Sequence, residues 1–397
     1  MKTLRREFLK AGGAMIVGFS LGGVLSAQGR GAVPGPPDAK QIDTWLAIHA
    51  DNTATVYIGF AELGQGNSTA LLQIAADELD LDMSQLSTVR LDTNVTPNQG
   101  GTYSSASIQR GGPQIRTASA EARAALLKLA SQKLNAPVER LAVSKGVVSV
   151  SGGSGSVTYG ALVGDKPFNL AFTGTAPSKA ASEYKVVGKA VPRRDSPDKV
   201  IGKYVYMQHV RVPEMLHGRV VRPRGQRMYG AGAKVLNIDE ASIRGIAGAR
   251  VVRKGDFVGV VAPNEWDAIR AAQQLKITWE APPALPDSVA IYEQMRKAKA
   301  EDRVVSQKGD TDAAFNSAAH TALQTVHAPY QSHALFSPNC AVANVTADSA
   351  MVMCSTQDVY ATRTSLARVL GLAPEKVRVQ YYEGSGTYGH SCYDDVA

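Results

Sequence analysis

The chain has only three cysteines, Cys340, Cys354 and Cys392, among 397 residues. Thiols this few and this scattered exclude an iron–sulfur cluster and a cysteine-built zinc site. An oxidising compartment would allow one disulfide, but the sequence does not choose the pair. The default role of each is a small buried apolar side chain, with Cys392, in a polar and glycine-rich setting, the most accessible. The seven histidines contain no pair at helical metal-ligand spacing. No H-E-x-x-H, G-x-S-x-G or P-loop lysine occurs, which removes the zinc-peptidase, serine-hydrolase and Walker signatures. No Lys/Arg run with interleaved aromatics supports nucleic-acid binding, and a net charge of +8 is modest once the basic N-terminus is set apart. Beyond that N-terminus no apolar run is long enough to span a bilayer.

What is present describes a folded chain of two or three domains: 44% hydrophobic and 20% charged residues. The pair Arg5-Arg6, followed by Glu7-Phe8-Leu9-Lys10 and a glycine-rich apolar stretch to Leu25, reads as a twin-arginine export signal. Cleavage is expected near Ala27, giving a periplasmic protein with no membrane span in the mature chain. An uncleaved anchor is the alternative, although about 15 apolar residues are short for one. Twin-arginine export carries proteins already folded, often around a cofactor.

The signal (1–27) and a Gly/Pro linker (28–41) precede a first α/β segment, 42–163. Its expected order is a strand over Thr53–Phe60, a glycine turn, a helix over Thr69–Leu79 and a strand over Thr88–Asp92. A glycine- and serine-rich loop from Pro97 to Pro113 follows, then a helix over Arg116–Leu134 with Ala118, Ala122, Ala125, Leu126, Leu129 and Ala130 on its buried face. Pro/Ser-rich sequence over 164–201 reads as a linker. A compact α+β module spans 202–281, with strands in Val205–Val221 and Arg250–Ala262, a helix capped by Asn264, and a strand from Lys276. A second linker, 282–320, leads to a third region, 321–397, with strands at Ala341–Val345 and Ala350–Cys354, a helix over Val359–Leu370 and a strand over Lys376–Tyr382. That region looks cut short, because Asp394-Asp395 has the acidic character of a helix's opening turn.

Three turns carry the chemistry. Glu62-Leu63-Gly64-Gln65-Gly66 sits at a strand-to-helix junction, where glycines let a ligand approach the backbone and the helix N-terminus offers N–H groups to an anion. Gln65 adds an amide suited to an oxo group or a heterocycle edge. The same residues also suit a plain tight turn with a Ser68 or Thr69 cap. Ser355-Thr356-Gln357-Asp358 occupies a second strand-to-helix junction, again either a helix cap or an amide presented at the carboxyl end of a strand. Glu383-Gly384-Ser385-Gly386-Thr387-Tyr388-Gly389-His390 is a second glycine turn, and His390 is the histidine expected to face a ligand. Gly64 and Gly66 lack the third glycine of a dinucleotide fingerprint, which disfavours a Rossmann site at the first turn. Together the turns suit a large polar ligand held by dipoles.

These residues resemble the molybdenum hydroxylases of the xanthine dehydrogenase and aldehyde oxidase family, most closely the exported branch with isoquinoline 1-oxidoreductase beta subunits. Glu62 to Gly66 with Ala75-Ala76-Asp77-Glu78-Leu79 is similar to the branch's first molybdopterin signature. Val212-Pro213-Glu214-Met215-Leu216-His217-Gly218-Arg219 resembles the start of the family's a/b hammerhead domain. Ser355-Thr356-Gln357 and Tyr388-Gly389-His390 resemble two further cofactor loops. The resemblance implies a mixed α/β and α+β fold in which molybdopterin-binding parts flank a hammerhead domain. It implies molybdopterin cytosine dinucleotide carrying molybdenum, an aldehyde or N-heteroaromatic substrate, and water as oxygen donor. Gly64, Gln65, Gly66, Gln357, Tyr388, Gly389 and His390 would bind the cofactor, with no direct protein ligand to the metal. Electrons would leave through a small [2Fe–2S] subunit and, in this branch, often a c-type cytochrome. Thr387 and Ser391-Cys392 depart from the family pattern around the second glycine turn. Family members run to roughly twice this length with a catalytic glutamate near the far end, so the base is expected beyond residue 397. The rival reading is a non-catalytic binding or scaffold protein that kept the fold.

Overall fold

The computed structural model describes residues 37–164, 166–223, 233–280, 289–329, 340–384 and 386–388. The expected export signal, Gly389, His390, Cys392 and the expected closing helix lie outside these residues. The chain divides into one unit drawn from Met1–Pro213 and His333–Ala397 and another drawn from Glu214–Ser332.

The first unit rests on two strand–helix–strand crossovers. β1 (Leu46–Ile48) pairs antiparallel with β2 (Ala54–Val56), which runs through α1 (Asn67–Leu79) to its parallel neighbour β3 (Leu86–Thr88). α1 is apolar on most of its surface, and Leu71, Leu72, Ala75 and Leu79 are fully buried. It packs on α2 (Gly111–Leu134), whose Ile115, Ala118, Ala122, Leu126 and Ala130 recur at the spacing of one helical face. The helix begins five residues before its expected start. Leu129 is 39% exposed although its spacing places it on that face, so the predicted stripe is not buried at this position. α1 and α2 both stop at a residue in the left-handed region, Asp80 and Asn135.

A meander that the sequence did not reveal follows: β4 (Leu141–Ser144), β5 (Val147–Val150) and β6 (Ser156–Thr158). Lys145 and Gly146, both at positive φ, form the two-residue turn between β4 and β5.

The segment 164–201 has the composition of a linker, yet its backbone N–H groups are bonded along the unit. Asp43 accepts from Phe168 and Asn169, Glu121 from Thr173 and Thr175, and Glu78 from Lys179. Asp77 accepts from Lys185, Val186 and Val187. Residues 202–213 continue on the same unit: Met207 and Val210 are buried with Met353 and Tyr382.

The second unit contains β7 (His217–Val220), β8 (Val235–Asp239), β9 (Arg250–Lys254), β10 (Phe257–Ala262), α3 (Glu265–Gln274) and β11 (Lys276–Trp279). The stretch Arg250–Ala262 is a hairpin rather than one strand, turning at Gly255 with φ +60°. Only His217–Val220 of the expected Val205–Val221 strand is in a sheet. β10 lies between β7 and β9, β8 pairs with β11, and Val258, Val260 and Ala271 lie at the centre of the core. Asn264 caps α3 by accepting from Trp266 N–H at 2.8 Å. Every residue from 293 to 329 is exposed.

The second crossover returns to the first unit. β12 (Ala341–Val345) pairs antiparallel with β13 (Ala350–Cys354), and α4 (Val359–Leu370) carries the chain to β14 (Val377–Tyr381), parallel to β13. The predicted strand Thr88–Asp92 is shared between two sheets. Leu86–Thr88 pairs with β2, while Leu91 and Thr93 bond β14 through Tyr381 N–H at 2.9 Å and Val379 C=O at 3.0 Å. That handover makes one unit of two crossovers far apart in sequence.

Candidate functional site

Both crossovers present a turn at the carboxyl end of a parallel strand, where α/β sheets bind ligands. After β2 the chain runs to Glu62–Gly66 and into α1; after β13 it runs through Ser355–Gln357 into α4. The third turn, Tyr382-Glu383-Gly384, leaves the same end of β14.

The first turn is closed by its own glutamate. The Glu62 carboxylate accepts from Gly64 N–H at 3.1 Å, Gly66 N–H at 2.8 Å, Ser68 N–H at 3.2 Å and Ser68 Oγ at 2.7 Å. The helix N-terminus therefore holds an internal anion, and the donors expected to meet a ligand are taken. Gly64 at φ +104° and Gly66 at φ +79° require glycine. Neither Ser68 nor Thr69 caps the helix; the N-cap is Gly66. Gln65 is also turned inward on its own loop: Oε1 accepts from Leu63 N–H at 2.6 Å and Nε2 donates to the Ala61 carbonyl at 3.2 Å.

Gln357 is buried. Its side chain donates to the Thr102 carbonyl at 2.7 Å, and its carbonyl accepts from Thr102 N–H at 2.9 Å. Thr102 Oγ1 in turn accepts from Ala61 N–H at 2.8 Å, so one threonine of the glycine-serine loop ties the first two turns together. Gly384 lies against Ser355, where a Cβ would come within 3.1 Å of the serine Cβ. Tyr381 Oη donates to the Glu62 carbonyl at 2.7 Å, which ties the first turn to the third. All three turns thus meet. Tyr388 is 58% exposed at φ +50°, and the structure brings it to none of the described contacts of the other turns.

Ser355 Oγ and Asn67 Oδ1, the latter beside Gly66, are buried at these turns with no hydrogen-bond partner among the described residues, whereas Glu383 Oε2, which also accepts no hydrogen bond, is ion-paired with Lys199 at 2.8 Å. Such atoms are costly to bury unless something bonds to them. Gly64, by contrast, has open space where a side chain would stand.

Charged residues that the sequence did not single out surround the first and third turns. Arg193 bonds Asp195 at 2.5 Å, lies 3.6 Å from Glu62 and donates to the Gly64 carbonyl. Lys199 lies 2.6 Å from Asp195 and 2.8 Å from Glu383. Burial alone would raise the Asp195 carboxyl, but hydrogen bonds and charge from Arg193 and Lys199 hold it down at about 2. Burial and then the Glu383 charge push the Tyr204 hydroxyl upward. Every acid here is paired, so none is poised as a general base. The only sequence signal for this group was its alternating charge over Arg193, Asp195 and Lys199. Thr102 left none. The arrangement can orient a large polar ligand through the Ser355 hydroxyl, the Asn67 carbonyl and the open space at Gly64. Among the described residues no group of His, Cys, Asp and Glu could hold a metal ion directly.

The sequence matches the molybdopterin cofactor-binding domain over residues 3–215 and again over residues 293–394. The nicotinate dehydrogenase of Pseudomonas putida has a B subunit that is 37% identical over 362 residues, which cover 90% of this chain and 30% of that protein. The beta subunit of isoquinoline 1-oxidoreductase from Brevundimonas diminuta is 28% identical, covering 71% of this chain and 41% of its own length. A membrane-bound aldehyde dehydrogenase of Gluconacetobacter polyoxogenes is 30% identical over 250 residues, covering 59% and 31%. The chain thus spans well under half the length of each.

Proposed function

The chain belongs to the molybdopterin cofactor-binding domain family, and from that membership we propose that it is the cofactor-binding part of a molybdenum hydroxylase large subunit. The observation that carries the reading is the meeting of three turns at the carboxyl ends of parallel strands, with the Ser355 hydroxyl and the Asn67 carbonyl buried and unpartnered among the described residues. The residues fit a pterin with phosphate and nucleotide attached: the unpartnered Ser355 hydroxyl and Asn67 carbonyl offer polar contacts and Gly64 leaves open space, while no group of His, Cys, Asp and Glu among the described residues could hold a metal. Gly64, Gly66, Gln357 and Ser355 would line its path. Gln65 would reach it by releasing its bonds within the loop, and Tyr388, Gly389 and His390 complete the proposed set. When bound, the cofactor supplies the redox chemistry that hydroxylates a substrate carbon with water as oxygen source. This chain's share is to bind, orient and exclude water. The committed state of Glu62, Asp195 and Glu383 supports a base supplied from outside the described residues.

The substrate would be an N-heteroaromatic ring or an aldehyde, the classes in the names of the three relatives. We also propose the cytosine dinucleotide form of the cofactor, a small [2Fe–2S] partner subunit with a c-type cytochrome after it, and export to the periplasm through Arg5-Arg6. The Glu214–Ser332 unit would be the hammerhead domain. The test is chemical. Protein purified from a host that makes the cofactor is denatured and oxidised, and the fluorescent pterin and released nucleotide are quantified. About one pterin per chain with a cytosine nucleotide is expected; a cooperatively folded preparation without pterin overturns the reading in favour of a scaffold protein.

A further inference from the structure

Five charges of alternating sign run from the first turn to the third: Glu62, Arg193, Asp195, Lys199 and Glu383. The ends of this series belong to turns far apart in sequence; Tyr381, two residues before Glu383, is 319 positions from Glu62. We propose that Arg193, Asp195 and Lys199 form a brace that sets the separation of the two glycine turns, and so act as positioning residues for the bound cofactor. The cofactor half of this statement rests on the molybdopterin reading above.

Three features favour a brace over scattered surface pairs. First, the side chains of Glu62, Asp195, Lys199 and Glu383 are between 8% and 18% exposed, so water screens them weakly. Second, one end grips backbone and the other is itself pinned through its backbone. Arg193 donates to the carbonyl of Gly64, and the stem of its side chain packs beside Gly66, where a Cβ would stand 3.6 Å from Cδ. The carbonyl of Glu383 accepts from Met207 N–H at 2.8 Å. Third, the middle is rigid. Arg193 binds Asp195 through both Nε and Nη2, and Lys199 stands one helical turn from Asp195, at i+4. A directional network of this kind specifies a geometry more than it adds stability. Lys199 also lies 4.7 Å from the ring centre of the half-buried Tyr204.

The test is hydrogen exchange on the full purified protein. In Lys199→Met, whose own contacts are with the third turn and Asp195, amides of residues 64–68 as well as 382–384 should exchange about tenfold faster. Acceleration confined to 382–384 would overturn the brace. Asp195→Asn, nearly isosteric, carries the same expectation and decides the matter should Lys199→Met fail to fold. Pterin should be lost several-fold faster from Lys199→Met than from wild type, and Lys199→Arg should restore retention. Variants that keep pterin as wild type does overturn the positioning role alone. Wild-type protein lacking pterin overturns the molybdopterin reading, while loop exchange still decides the brace.

Discussion

Asp92 and Arg378 stand 286 positions apart and are both almost wholly buried, joined through Arg378 Nε at 3.1 Å and Nη2 at 2.5 Å. The remaining carboxylate capacity of Asp92 is filled by Asn94 N–H and Gln380 Nε2. A pair so completely bonded matters most when one partner is lost, because the survivor is then a buried, unpaired charge. Asp92→Ala should therefore lower stability by about 3–5 kcal/mol, read as a fall in urea midpoint, and Arg378→Ala in the same chain should recover part of it. Asp195 gives a pH signature. Its carboxyl is held at about 2 against an ordinary 3.8, so its contribution is present above that ordinary value and vanishes as pH falls toward 2. The stability difference between wild type and Asp195→Asn should shrink by roughly 2 kcal/mol between about pH 5 and pH 2. Comparing the two proteins at each pH removes the opposing effect of Glu78, which burial raises above its ordinary 4.5 and which therefore costs stability when ionised.

Among the elements, the stretch over 293–329 is exposed throughout, with Leu323 at 99% and Val305 at 79%. It carries two short helices, Ile291–Lys297 and Thr311–Ser317, neither with a buried residue. Limited trypsin treatment should cut first at Lys297, Lys299, Arg303 or Lys308, and mass spectrometry should find 164–200 intact at that stage. That contrast was not legible in the sequence, where 164–201 and 282–320 share the same linker composition. The difference lies in Asp43, Asp77, Glu78 and Glu121, whose partners on the first of these segments are backbone N–H groups; such bonds leave no pattern in side-chain identity. Strong local patterns were legible. The apolar β12 and β13 and the Asp358-capped α4 fall at their expected bounds, because each is decided by residues within one or two turns of the chain. The meander β4–β6 was missed because its strands have three or four residues with one apolar face and polar neighbours. Of the candidate site, the sequence located the three turns but not their wiring. That Glu62 fills the helix N-terminus, and that Gln65 bonds its own loop, are set by a loop geometry without a periodic signature.

For the whole chain, the two molybdopterin-domain matches lie in different parts of a sequence that spans 30% and 41% of its nicotinate and isoquinoline relatives. The turns that meet come from both. Ala61 and Leu91 share a core with Val352, Val379 and Tyr381, so the apolar lining of the first turn is completed only by residues near 380. This has a bearing on synthesis. A ribosome that has delivered residues 37–213 has produced α1, α2 and the Glu62 turn, but Asp92 then has no Arg378 and Leu91 no β14 to lie beside. The whole of Glu214–Ser332 must be translated before those partners emerge. Until then the nascent chain shows a half-built apolar surface, a natural landing place for a chaperone, and the three turns cannot meet before β14 has left the ribosome.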